Sequence, residues 1–176
     1  MFNNKNRAFY NAAAVMGLDK IDENKSIDYL KSRFESSGIT IDKGTTKYLL
    51  STVANIPYYI QFIAYEIWQA LTLADRNKVS ANDIDRAVEN LLLLKSDYYW
   101  ELTNKQTVNR KKILYALSQS VTELFSKQTA DNFNLGPVSS TQKALEVFVE
   151  DGIIERKNEI YEFSDPFYST FIANNL

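Results

Sequence analysis

The apolar residues of this chain recur every three to four positions from Ile27 to Val149, but every second position between Ile153 and Phe163. The first spacing places apolar side chains on one face of a helix, whereas the second is that of a half-buried strand. The sequence therefore predicts a mainly α fold with one short β-hairpin, whose two strands flank Lys157-Asn158-Glu159.

The helical spacing over residues 26–105 predicts a small bundle of four helices. Gly38 would end the first helix with a positive φ, and Pro57 would open the third, since proline fits the first helical turn. A capping pattern from Ser80 to Asp83 would start the fourth. The positions predicted to be buried include Ile27, Leu30, Phe34, Tyr48, Leu49, Val53, Ile60, Ile63, Ile67, Leu71, Ile84, Ala87, Leu91, Tyr98 and Tyr99, with Tyr59, Phe62 and Trp68 widening the stripe of the third helix.

Residues 106–176 have a different order of elements: a helix, a short helix near 126–133, a turn, a further helix, the hairpin and a last helix at Asp165-Pro166. A capping pattern at Ser139-Ser-Thr-Gln142 would start the helix before the hairpin, with Ala144, Leu145, Phe148 and Val149 buried. This is the order of a winged helix-turn-helix domain. We therefore expect a domain boundary near residues 105 and 106.

Composition excludes several kinds of chemistry. The chain has no cysteine and no histidine, so disulfides, thiolate zinc sites and Cys or His nucleophile-base pairs are ruled out. No carboxylate pair has the spacing of a general acid and base, and we predict no catalytic or metal site. The sequence shows no apolar run of membrane-spanning length, and we expect a cytoplasmic protein without membrane contact.

Residues 1–10, 27–34, 55–61 and 67–68, together with 141–156 and 161–168, carry patterns of a known family. They resemble the C-terminal region of archaeal-type ATPases of the STAND and AAA+ class. In that family a helical lid and a winged helix follow a nucleotide-binding core. The resemblance implies that residues 1–25 are a connector from a missing core, that 26–105 form the lid and that 106–176 form the winged helix.

The resemblance also implies a role. The chain has no Gly-x-x-x-x-Gly-Lys-Ser/Thr loop, and its five glycines are scattered, so we expect no ATP hydrolysis by this chain alone. ATP and Mg²⁺ are expected only together with the ATPase core, which would be one partner. Asn55, Pro57 and Tyr58 stand where the family's lid is thought to contact nucleotide, with Asn55 in place of the usual glycine. Asparagine tolerates left-handed backbone angles better than most residues, so we expect the turn to persist. A nucleotide-responsive regulatory and protein-interaction module is the predicted function.

DNA binding is the alternative for the winged helix. The candidate residues for DNA or a protein partner are Ser139, Ser140, Gln142 and Lys143 on the recognition helix, Arg156 and Lys157 in the wing, and the cluster Arg110, Lys111 and Lys112. Charge opposes DNA, because residues 107–176 contain seven basic and nine acidic side chains. We therefore favour a protein partner over DNA.

Overall fold

The computed structural model describes residues 22–176, which divide into two compact units after Ser80. The described part of the first unit contains α1 (Glu23–Glu35), α2 (Lys43–Thr52) and α3 (Pro57–Leu73). The second unit contains α4 (Ala81–Asn104), α5 (Val108–Ser118), α6 (Lys127–Phe133), α7 (Val138–Glu150), β1 (Ile154–Lys157), β2 (Ile160–Phe163) and α8 (Pro166–Asn175). The predicted mainly α fold with one hairpin is confirmed. The predicted connector and the resembling residues 1–10 lie wholly or mostly outside the described residues.

The core of the first unit follows the predicted helical stripes. Ile60, Ile63, Ile67 and Leu71 of α3 are at most 4% exposed, and Ile27, Leu30 and Phe34 of α1 are also buried. The assignment of Tyr48 to the core was wrong, because its side chain is 42% exposed while Leu50, beside Leu49, is buried. Residue 48 therefore lies on the solvent side of α2, one helical step from the buried face.

Several helices end in the same backbone motif. After α1 the amide of Ile39 donates to the carbonyl of Phe34 and that of Gly38 to Glu35, with Gly38 at φ +76°, as predicted. After α2 the amide of Asn55 donates to Leu50 at 2.8 Å, and that of Ala54 to Ser51 at 3.1 Å. Both pairs of bonds belong to the Schellman motif, which satisfies the last carbonyls of a helix by turning one residue left-handed.

In the second unit α4 groups with the helices that follow it. The Tyr99 ring packs against the rings of Tyr168 and Phe171 in α8, with centroids 5.2 and 5.3 Å apart. Tyr99 is fully buried, but the prediction that Tyr98 is also buried was wrong, because Tyr98 is 56% exposed. The structural division after Ser80 thus differs from the boundary expected near residue 105; whether residues 26–105 act as one lid domain stays a prediction.

The hairpin of β1 and β2 is antiparallel, with Ile154 opposite Phe163 and Lys157 opposite Ile160. Lys157 belongs to β1, which leaves Asn158 and Glu159 as a two-residue turn with φ of +47° and +70°. Positive φ at both central residues is the type I′ arrangement, which matches the right-handed twist of paired strands. The turn therefore holds the hairpin as a compact projection, here called the wing (residues 154–163).

Candidate protein- and nucleic-acid-binding surfaces

The helix α7 begins one residue before the predicted cap. Its N-cap is Pro137, which makes no side-chain cap bond, so the predicted capping box at Ser139 to Gln142 was wrong. The entry to the helix is instead fixed by Asn109 of α5, which accepts from the Gly136 amide at 2.9 Å and donates to Ser140 Oγ at 3.2 Å. A Cβ at residue 136 would lie 3.2 Å from the Asn109 carboxamide, so glycine permits this close approach.

The exposed side of α7, here called the recognition face, carries more acid than base. Its members are Val138, Ser139, Gln142, Lys143, Glu146, Val149 and Glu150. Val149, which the sequence assigned to the core, is 41% exposed and lies with Val138 and Gln142 on one edge of this face. Lys143 faces two glutamates one and two turns along the helix. Two valines and a net negative charge make this a surface suited to protein contact more than to phosphate.

The cations of the wing have acidic partners inside the wing. Arg156 is 2.7 Å from Glu159 and lies over the Tyr161 ring, with its guanidinium carbon 5.6 Å from the ring centroid. Lys157 forms ion pairs with Glu155 and Glu162. Three carboxylates thus surround two cations, and the wing as a whole is negative. The predicted residues Arg156 and Lys157 are exposed on the wing, but their charge is already balanced.

The predicted cluster Arg110, Lys111 and Lys112 lies in the first half of α5 and is half-buried. Lys112 donates to the carbonyl of Asn134 at 3.0 Å, and Lys111 donates to the Asn104 side chain at 3.3 Å. Asn134 is the left-handed residue that ends α6, so Lys112 satisfies a carbonyl at that turn. Two of the three cations therefore have structural partners within the second unit.

A hydrogen-bonded cluster at the start of α8, here called the polar anchor, was not predicted from the sequence. Asp165, the N-cap of α8, accepts from the Phe167 amide at 3.0 Å, from Tyr99 Oη at 2.8 Å and from Lys95 Nζ at 3.2 Å. Asp165-Pro166 did predict the start of a helix. The link to α4 joins residues 66 and 70 positions apart, and no local pattern reveals such a distant pair.

Next to this anchor, Thr103 and Tyr168 share a buried hydrogen bond of 3.0 Å between their hydroxyls. Burial raises the pKa of the Tyr168 phenol above its ordinary value, and the bond to Thr103 opposes part of that rise. The phenol therefore stays neutral at physiological pH and serves the packing of α8 against α4.

The predicted nucleotide contacts lie in the loop between α2 and α3. Asn55 has φ +52°, so asparagine does adopt the left-handed backbone for which glycine is usual in the resembling family. Pro57 is the first residue of α3, and Tyr58 is 59% exposed, with its ring 6.4 Å from that of Phe62. The turn thus has the predicted backbone shape; contact with nucleotide stays a prediction.

Comparison with known proteins bears on the second unit. A family described as "Probable winged helix domain" matches residues 97–174, which include α5 to α8 and the wing. The second unit contains a winged-helix domain. The match begins within α4, in agreement with the packing of Tyr99 and Thr103 of this winged-helix domain against α8.

Two solved structures of Thermotoga maritima RuvB are similar to the chain in fold. A RuvB substitution variant is 10% identical with a TM-score of 0.42, and the RuvB Holliday junction branch migration motor is 11% identical with a TM-score of 0.42. Each match covers 88% of this chain and 50% of the RuvB chain. The chain therefore spans about half the length of these structures. No curated protein matches this chain. Among the residues the structure describes, no helix is long and apolar enough to cross a membrane.

Proposed function

We propose that the winged-helix domain is a protein-docking module. The observation that carries this proposal is the internal pairing of the wing cations, Arg156 with Glu159 and Lys157 with Glu155 and Glu162. Affinity for DNA comes largely from cations that neutralise phosphates and release counterions. A wing with more carboxylates than cations would repel the phosphates that flank a groove, whereas a polar rim of paired charges is common where proteins meet.

The recognition face supports the same proposal. Its exposed valines, Val138 and Val149, would be covered in a protein interface, and Glu146 and Glu150 would face DNA phosphates unfavourably. DNA binding remains the second candidate, because Lys143 is exposed on this face and Arg110 lies on α5.

We further propose that the chain belongs to a P-loop ATPase as its lid and winged helix. The resemblance of residues 27–34 and 55–61 to archaeal-type ATPases supports this, as does the left-handed Asn55 immediately before the Ile56-Pro57 helix start. In this proposal the lid responds to nucleotide held by an ATPase core, the winged helix passes that state to a protein partner, and the chain alone does not hydrolyse ATP.

The absence of DNA binding can be tested by fluorescence anisotropy with a labelled duplex at about 50 mM and about 200 mM salt. We expect the wild-type chain to show no salt-dependent binding. The variant Glu155→Gln/Glu159→Gln/Glu162→Gln frees Arg156 and Lys157, and we expect it to bind with a log–log salt slope of about −2, the value for two phosphate contacts.

The matched control removes the same number of charges from the first unit: Glu23→Gln/Asp28→Asn/Asp75→Asn. Because this control gains the same net charge without freeing a wing cation, we expect it to behave as the wild type. Salt-dependent duplex binding by the wild-type chain would reject the docking proposal in favour of DNA.

The ATPase proposal has its own test in the coding sequence that precedes the codon for Met1. An in-frame Gly-rich loop with lysine, followed by an apolar strand that ends in acids, is the expected result. A stop codon with a separate start signal at Met1 would remove the ATPase core as a partner in the same chain.

A further inference from the structure

A groove of about 470 Å³ runs between α1 and α3 in the first unit. The described residues that line it include Tyr29 and Arg33 of α1 and Gln61, Tyr65 and Trp68 of α3. Leu30 and Phe34 form part of its base and are at most 3% exposed. The groove is separate from the loop at Asn55 and lies outside the winged-helix domain.

The rim of this groove is aromatic and open. Tyr29, Tyr65 and Trp68 keep 49%, 56% and 39% of their surface exposed, and the rings of Tyr65 and Trp68 lie 5.9 Å apart. Tyrosine, tryptophan and arginine are the residues that most often carry binding energy at protein interfaces. Half-exposed rings that flank a buried apolar base leave area for a partner to cover.

Arg33 is the one charged side chain among the described residues that line the groove. Within the part of the chain that the structure describes, it forms no ion pair, whereas its neighbour Lys31 is 3.8 Å from Glu35. An arginine beside aromatic rings favours a carboxylate, which it can bind with two parallel hydrogen bonds. Charge complementarity thus indicates an acidic group on the occupant.

The walls of the groove favour a helix as the occupant. Both walls are helices whose backbone groups bond internally, and the hydroxyls of Ser36 and Ser37 donate to Arg33 and Phe34 carbonyls at 2.8 Å. Among the described residues that line the groove none belongs to a strand, so a peptide that adds as a strand would gain no backbone pairing, whereas a helix binds through side chains alone. A cavity of about 150 Å³ holds benzene, so this groove has room for about three apolar side chains.

We propose that the groove between α1 and α3 binds an amphipathic helix of a partner protein that presents apolar side chains at i, i+4 and i+7 and a carboxylate beside them. The apolar groups insert between Tyr29, Tyr65 and Trp68, and the carboxylate pairs with Arg33. This site does not depend on the winged-helix proposal, since the two surfaces share no residue.

Selection from two peptide display libraries of equal diversity tests the proposal on the full chain. One library fixes apolar residues at i, i+4 and i+7 of a helical scaffold, and the other holds linear sequences interrupted by proline. We expect helical binders in which an acid is enriched next to the apolar stripe. Their affinity should fall at least tenfold in Trp68→Ala and in Arg33→Gln, and replacing the acid by glutamine should abolish the difference between wild type and Arg33→Gln.

The matched controls are Tyr48→Ala, an exposed aromatic residue of α2, and Lys31→Gln, a cation on α1; both should bind as the wild type. Enrichment of linear sequences, of helices without an acid, or of no binder that depends on Trp68 would overturn the proposal. A synthetic peptide of residues 1–21 serves as competitor. Displacement by that peptide would assign the groove to the chain's own N-terminal segment and would contradict the proposal that a partner protein binds there.

Discussion

Ala54 occupies a backbone conformation that alanine rarely adopts. Its φ is +50°, and it stands at the left-handed position of the Schellman motif that ends α2, where α1 has Gly38. The Cβ of a left-handed alanine crowds the neighbouring carbonyl and costs about 1 to 2 kcal/mol. The turn that leads to Asn55 and Pro57 therefore holds strain, as loops near binding sites often do. The sequence predicted the left-handed Gly38 and Asn55, but nothing local indicated Ala54.

Replacing Ala54 by glycine should stabilise the chain. We expect Ala54→Gly to raise the free energy of unfolding by about 0.5 to 1 kcal/mol, because the relief of strain exceeds the added entropy of the unfolded chain. Gly38→Ala, the reverse change in the equivalent position of α1, should lower it by about 1 kcal/mol. Urea denaturation measures both. A loss of stability in Ala54→Gly would contradict the account.

At the scale of elements, the helices could be predicted well and their partners poorly. Periodicity located the helices because each buries one face, and alternation located the hairpin. The α3 stripe from Ile60 to Leu71 was correct, but the assignment of Trp68 to it was wrong, because Trp68 is 39% exposed. Tyr48, Tyr98 and Val149 were wrongly predicted to be buried. Each lies at the edge of a buried helix face, where one helical step separates the core from solvent. The start of α7 differed from the prediction because Asn109, a residue distant in sequence, bonds to Gly136 and Ser140 on either side of the Pro137 N-cap.

Asp165 joins α8 to α4, and its substitution separates two contributions. Asp165→Ala removes the cap of α8 and leaves Lys95 and Tyr99 without this acceptor, so we expect a loss of about 2 to 4 kcal/mol. Asp165→Asn keeps one oxygen for the Phe167 amide but places an NH2 group where Oδ2 accepts from Tyr99 and Lys95, and we expect it to cost about 1 to 2 kcal/mol. Thermal and urea unfolding give both values. Equal losses in the two variants would show that the cap of α8 contributes nothing measurable to stability.

At the scale of the whole molecule, the division after Ser80 was not visible in the sequence. The helical spacing of α4 continues from residues that resemble a lid, so the boundary was expected at the polar residues after it. The contacts of Tyr99 and Thr103 with α8 bind α4 to the winged-helix domain instead. The candidate residues on α7 and in the wing were found from element order. The acidic partners of the wing cations could not be predicted without the register of the hairpin.

The boundary can be tested with two fragments. A fragment of residues 81–176 retains α4, whereas one of residues 106–176 exposes the faces of Tyr168 and Phe171 that Tyr99 and Trp100 cover. We expect the longer fragment to unfold cooperatively and the shorter one to melt at a lower temperature or to remain unfolded. Circular dichroism follows both transitions. Equal melting temperatures would support the predicted boundary at residue 105.

Each cation of the wing lies beside an acid that balances its charge. A few point mutations could therefore change the wing from a surface that binds protein to one that binds DNA. A point mutation in a glutamate codon can yield lysine, so a change at Glu155, Glu159 or Glu162 would both remove a balancing acid and add a cation. Relatives with the same backbone could thus include DNA binders and protein binders that differ at these three positions. Charge at the hairpin would then classify such proteins better than their fold does.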